Sequence, residues 1–171
     1  MHPDASPVRV LMICMGNICR SPTAHGVLRQ RLLQRQLHER ILVDSAGTHG
    51  YHVGEPPDPR AQAHARARGY DLSDLRARRL TVRDCELHDW LLVMDAHNEA
   101  HVHALCPPAH RFKIHRLARF GQRYAAHEIP DPYTGGPAAF EHALDLIEDA
   151  VDGWLHQLLA PQPPRTVLTS P

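Results

Sequence analysis

Cys14 and Arg20 stand six positions apart in the run Cys14-Met15-Gly16-Asn17-Ile18-Cys19-Arg20-Ser21-Pro22. A cysteine facing loop N–H groups and a helix N-terminus has the surroundings of a nucleophile, because that field favours the thiolate. An arginine at the mouth of the helix can meet a phosphoryl group through two parallel N–H bonds, which a lysine cannot do. Gly16 allows close backbone approach, and Asn17 tolerates a left-handed turn. This set suits attack on phosphorus, with a cradle of amides holding the equatorial oxygens. The bare spacing also fits a buried thiol beside a surface arginine. Context favours chemistry: an apolar run precedes the cysteine and a Ser-Pro helix start follows it.

The elements that must position these residues are readable in outline. Val8 to Cys14 is nearly continuous apolar sequence, the pattern of a buried parallel strand. Ser21-Pro22 predicts a helix with Ser21 as its N-cap, running to about Leu37 with Val27, Leu28, Leu32 and Leu33 inward. Ile41 to Val43 predicts a second strand ending at Ser45-Ala46-Gly47, and Asp58-Pro59 a second capped helix stopping at Gly69. Trp90 to Met94 reads as a third strand, with Asp95 capping the helix after it and Phe112 to Leu117 as a fourth strand. A long loop from Arg119 to Gly136 leads into a final amphipathic helix, Pro137 to Leu159. Alternation of this kind predicts one three-layer α/β domain: a four-stranded parallel sheet, helices on both faces, and a phosphate-binding loop after the first strand. The domain is expected over 8–159, with a flexible lead-in at 1–7 and a disordered tail at 160–171.

Composition sets bounds on function. The 171 residues carry 19 Lys+Arg against 19 Asp+Glu, a formal charge of zero, which argues against a nucleic-acid or anionic-membrane binder. No apolar run is long enough to span a bilayer and no signal peptide opens the chain, so a cytoplasmic protein is expected. Four cysteines make no disulfide scaffold. Fifteen histidines invite a metal site, with His97 and His101 one turn apart, but no carboxylate or cysteine joins them at ligand spacing, and no metal or other cofactor is expected. The arginines between Arg60 and Arg83 read as a solvated helix face.

The run around Cys14 resembles the signature of the low-molecular-weight protein tyrosine phosphatases. The likeness continues through Ser45-Ala46-Gly47-Thr48, Gly54-Glu55-Pro56-Pro57-Asp58, Ala77-Arg78-Arg79-Leu80, Met94-Asp95-Ala96-His97-Asn98 and Asp131-Pro132-Tyr133, in order, from Val8 to Leu159. The resemblance implies that Cys14 attacks a phosphomonoester to form a cysteinyl-phosphate, without a metal. Arg20 and the amides of Met15, Gly16, Asn17, Ile18 and Cys19 would hold the phosphoryl oxygens. Ser21 would donate to the thiolate, besides its capping role. Asp131 would act as general acid, then general base, which predicts a bell-shaped, acid-leaning rate profile. Tyr133 and Tyr51 would wall a cleft selecting phosphotyrosine over phosphoserine. Cys19 would be the redox partner of Cys14 in a reversible disulfide, while Cys85 and Cys106, far apart in sequence, would pack in the core.

Two positions depart from the family. Relatives usually place a His before the Ala-Arg motif, in a network tying the loop Asn to a Ser that Ser45 matches; Leu75 stands there, beside Asp74. Thr134 replaces a second Tyr after Asp-Pro-Tyr. The expected partners are a phosphotyrosine protein and a cognate tyrosine kinase, with the chain a monomer or weak dimer. A protein-arginine phosphatase is a rival on the same architecture, but that branch usually has Thr after the loop Asn, where Ile18 stands. Arsenate reductase is a second rival, poorly served by cysteines as far apart as Cys85 and Cys106. A phosphate-binding module without turnover is a third.

Overall fold

Seven residues that are apolar apart from Arg9, Val8–Cys14, form β1 at the interior of a four-stranded parallel sheet ordered β2-β1-β3-β4. The computed structural model describes residues 6–161; the expected lead-in up to residue 5 and the tail from residue 162 lie outside the described residues. Strand β2 spans Ile41–Gly47, β3 Trp90–Val93 and β4 Ile114–Arg116. The register pairs Met12 with Ser45 and Cys14 with Gly47 on one side, and Ile13 with Val93 on the other. Cys14 therefore ends the strand that is flanked on both edges.

Both faces of the sheet are covered, which is why β1 shows no polar alternation. Val10, Met12 and Cys14 face a core built with α1 (Arg20–Gln34) and α5 (Pro137–Leu159). Leu11 and Ile13 face the smaller core under α3 (Val82–Leu87) and α4 (Ala96–Leu105). Helix α2 (Pro59–Ala67) packs on α5. Trp154 of α5 is fully buried, edge-on to Trp90 at 5.7 Å between ring centroids. Among the described residues no helix is long and apolar enough to cross a membrane.

Three local expectations need correcting. Helix α1 begins at Arg20 with Cys19 in the N-cap position and no side-chain cap, so Ser21 lies inside the helix and does not cap it. Its hydroxyl is spent on the thiol instead. The helix also ends earlier than expected, and Gln36 turns left-handed at φ 56°. The fourth strand is only Ile114–Arg116, because 3-10 turns at Pro108–Lys113 and Leu117–Phe120 take its ends. The capping box of Thr81 and Asp84 starts α3, a helix the apolar periodicity does not signal.

Candidate active site

The loop after β1 is tied to the segment after β2. Thr48 N–H donates to the Cys14 carbonyl at 2.9 Å and His49 N–H to that of Met15 at 3.0 Å. This close approach needs a glycine at the end of β2, since a Cβ on Gly47 would sit 2.7 Å from the Met15 carbonyl oxygen. Asn17 turns the loop in the left-handed region at φ 56°. Its side chain is buried beneath the loop: Oδ1 accepts from the Arg78 N–H at 3.0 Å, and Nδ2 donates to Ser21 Oγ at 2.8 Å. With that lone pair of Ser21 engaged, its hydroxyl proton is left for Cys14 Sγ at 3.0 Å or the Ala46 carbonyl at 3.5 Å. The nearer acceptor is the thiol, so Ser21 is oriented to stabilise a thiolate.

Arg20 is 2% exposed and its guanidinium is held on two sides. Nη1 donates to Asp95 Oδ2 at 2.6 Å and to the Ile129 carbonyl at 3.0 Å, while Nη2 lies 3.4 Å from Asp131 Oδ2. Burial opposes the charge of Arg20, but its attraction to Cys14, Asp95 and Asp131 and its hydrogen bond to Asp95 outweigh it and raise its pKa. Burial likewise disfavours charge on Asp95, yet donation from Arg20 and from the Asn98 N–H holds its carboxyl below the usual range. Asp95 is thus both the expected cap of α4 and the anchor of Arg20; only the first role was visible in sequence. Cys19 behaves unlike Cys14's other neighbours: burial first, then the negative charges of Asp58, Cys14 and Asp131, push its thiol far up, so it stays protonated.

Cys14, Met15, Gly16, Ile18, Cys19, Arg20, Tyr51, Asp131 and Tyr133 line one cleft of about 220 Å³, together with His52. The loop 121–136 brings Asp131 there. Asp149 of α5 accepts from the N–H groups of Gln122, Arg123 and Tyr124, and Ile129 N–H donates to the Met94 carbonyl at 2.8 Å. Asp131 Oδ1 in turn accepts from the Tyr133 N–H at 3.1 Å. The two tyrosines stand at the rim, Tyr51 72% and Tyr133 46% exposed. Arg60 of α2 lies over the Tyr133 ring at 5.5 Å and the Phe140 ring at 4.8 Å, held in place by a paired contact with Asp58. Tyr51 stacks on His49 at 5.2 Å, which meets His101 of α4 at 4.7 Å.

His52 in the cleft and Arg60 over Tyr133 were not anticipated; neither has a local pattern, because each arrives through a loop or helix distant in sequence from Cys14. Three of the seven arginines in the Arg60–Arg83 stretch are held in ion pairs: Arg60 on Asp58, Arg68 on Glu141 and Asp145, Arg78 on Asp44 and Asp84. Cys85 and Cys106 are buried as expected, but together: burial, then the hydrogen bond with Cys106, push the Cys85 thiol up to about 12. Their pairing answers the spacing objection raised above, yet they sit in the core under α3 and α4 while Cys14 belongs to the opposite layer. All four thiols are free. Among the described residues no group of three or more potential metal ligands gathers. Leu75 packs against the apolar core, and Ser45 instead meets His25 of α1, with Nδ1 3.2 Å from its hydroxyl oxygen.

Comparison with known proteins agrees with this geometry. Wzb of Salmonella typhi, a low molecular weight protein-tyrosine-phosphatase, is 37% identical over 154 residues, covering 90% of this chain and 96% of that one. The crystal structure of YfkJ from Bacillus subtilis superposes with a TM-score of 0.85 at 30% identity, over 91% of this chain and 96% of that one. A protein tyrosine phosphatase of Entamoeba histolytica, with Hepes in its active site, superposes with a TM-score of 0.86 at 34% identity, over 88% and 96% of the two chains. The sequence model of low molecular weight phosphotyrosine protein phosphatase matches residues 9–162, and the chain belongs to that family.

Proposed function

We propose that the protein hydrolyses phosphotyrosine in proteins, and aryl phosphates generally, through a cysteinyl-phosphate intermediate and without a metal. The observation that carries this reading is that Asp131, far along the sequence, meets Cys14 and Arg20 in one cleft. The thiolate of Cys14 attacks phosphorus in line with the bond to the tyrosine oxygen. Arg20 and the loop amides hold the equatorial oxygens, whose charge is met by donors already in place. As the P–O bond breaks, Asp131 passes its proton to the departing phenolate. The resulting carboxylate then takes a proton from water, whose oxygen attacks phosphorus and expels Cys14 as thiolate. Ser21 donates to that sulfur throughout and eases its departure.

Tyr51 and Tyr133 form aromatic walls that a planar phenol fills and a short phosphoserine does not. Cys19, protonated and buried beside the nucleophile, is suited to the resolving role: peroxide oxidises Cys14 to the sulfenic acid, and condensation with the Cys19 thiol releases water and leaves a reducible disulfide. A cytoplasmic location, a monomeric or weakly dimeric state and a tyrosine kinase that makes the substrate complete the proposal.

Hydrolysis assays on phosphotyrosine, phosphoserine and phosphoarginine peptides test it. Turnover of phosphotyrosine alone is expected, with Cys14→Ser inactive and Asp131→Ala slowed about 10²- to 10⁴-fold. Preference for phosphoarginine would replace the substrate assignment, and phosphate binding without turnover by the wild type would replace the enzyme reading.

A further inference from the structure

Neither the thiol chemistry nor the aromatic walls use His25, although it is buried on the helix that carries Ser21. The two residues lie one turn apart on α1 and so leave the same face. Burial is the main force keeping the imidazole neutral, with a pKa pushed down to about 4; Arg29 and Arg78 act in the same direction, Asp44 and Asp74 against it. Those four charges neutralise one another, Arg29 on Asp74 and Arg78 on Asp44. What remains is a buried, uncharged hydrogen bond joining α1 to Ser45 of β2 at 3.2 Å.

We infer that His25 is a positioning residue whose contact with Ser45 decides which acceptor the Ser21 hydroxyl serves. Ser21 has one proton to give and two acceptors, Cys14 Sγ at 3.0 Å and the Ala46 carbonyl at 3.5 Å. Its oxygen already accepts from Asn17, so rotation about the hydroxyl bond chooses between them. Ala46 follows Ser45 on β2, and His25 follows Ser21 by a turn on α1. The strut and the competing pair therefore join the same helix to the same strand. If α1 settles toward β2 the carbonyl gains the proton and the thiolate loses its donor. The helix has little slack on its other neighbour, since a Cβ on Gly26 would lie 2.2 Å from Leu72 Cδ2. With Leu75 turned into the core, the polar partner of Ser45 comes from α1 and not from the segment before Ala77.

This inference rests on the phosphatase reading, and its test includes a measurement that needs no turnover. In the full-length protein, His25→Leu is expected to lower kcat on aryl phosphate about tenfold with KM changed less than about twofold, the pattern of a donor lost from the reacting sulfur. It should slow alkylation of Cys14 by iodoacetate at neutral pH by a similar factor. His25→Gln, which keeps a hydrogen-bonding group for Ser45, should recover most of both. Ser45→Ala should reproduce the leucine variant, and the double substitution should add nothing further. Wild-type kcat and alkylation rates in His25→Leu, or in Ser45→Ala should the first not fold, would overturn the role. An inactive wild type with the alkylation pattern intact would instead overturn the substrate assignment alone.

Discussion

The Arg20 guanidinium meets the Asp95 carboxylate at 2.6 Å, so the cation at the foot of the cleft is aimed by the residue that caps α4. Asp95 Oδ1 accepts from the Asn98 N–H at 2.8 Å while Oδ2 serves Arg20. Asp95→Asn keeps a good cap and removes the charge. The arginine is then left buried without its nearest counter-charge, and a loss of about 3 kcal/mol of stability is expected in denaturant titration. Because Arg20 also loses its aim, kcat/KM should fall by about 10- to 100-fold. Wild-type catalysis in Asp95→Asn would show that the Ile129 carbonyl and Asp131 suffice to orient Arg20.

His25 makes stability depend on pH in a definite direction. Its folded pKa of about 4 lies below the ordinary imidazole value of 6.5. The folded state therefore disfavours the proton that the unfolded chain accepts. Stability from this group is complete above pH 6.5, falls as pH drops toward 4 and changes no further below. The whole change is about 3 kcal/mol, at 1.36 kcal/mol for each pH unit between the two values. Denaturant titrations at pH 7 and pH 4.5 should show a smaller loss for His25→Gln than for the wild type; equal losses would contradict the burial argument.

Arg60 should matter for substrates longer than phosphate itself. Its guanidinium lies over Tyr133 and is fixed by Asp58, so Arg60→Ala frees one wall of the cleft. KM for a phosphotyrosine peptide is expected to rise about two- to fivefold, the range of an exposed cation–π contact. Inhibition by inorganic phosphate, which on the proposed function would meet the loop and Arg20 without reaching the wall, should be unchanged. A parallel change in both would point to damage at the loop.

Gly47 tests the packing of the loop against β2. A methyl group there would approach the carbonyl oxygens of Met15 at 2.7 Å and His49 at 3.0 Å, both main-chain atoms. Gly47→Ala should cost about 1–3 kcal/mol and depress kcat beyond that loss of stability, because the nearer atom that must give way, the Met15 carbonyl oxygen, belongs to the loop after β1. A merely destabilised protein with normal kcat would separate the two effects.

What the sequence made readable was local. The unbroken apolar character of Val10 to Ile13 announced a strand covered on both faces, and Pro137 to Leu159 was correct at both ends because Pro137 and the apolar stripe agree. Asp58 and Asp95 were correct as caps because a carboxylate at that position accepts from a first-turn N–H. Ser21 misled because its type suits two jobs, and the pattern cannot say that a thiol across the loop has claimed the hydroxyl. The placing of His52 in the cleft and of Arg60 over Tyr133, the second role of Asp95 and the meeting of His25 with Ser45 are contacts between separate elements. No spacing encodes them; they exist only once β2, α2 and α4 have taken their places around β1.

The seating of Cys14 on a strand hydrogen-bonded along both edges has a consequence for how the protein loses activity. The amides of Thr48 and His49, tied to the Cys14 and Met15 carbonyls, should exchange with solvent deuterium only through openings near the full free energy of unfolding. The segment after Ile129 that bears Asp131 is more exposed, and the amides of Tyr133 and Gly135 bond within the segment itself, so it should exchange through smaller openings. Mild heating is then expected to blunt proton transfer first, leaving the nucleophile's surroundings intact until the domain melts as a whole.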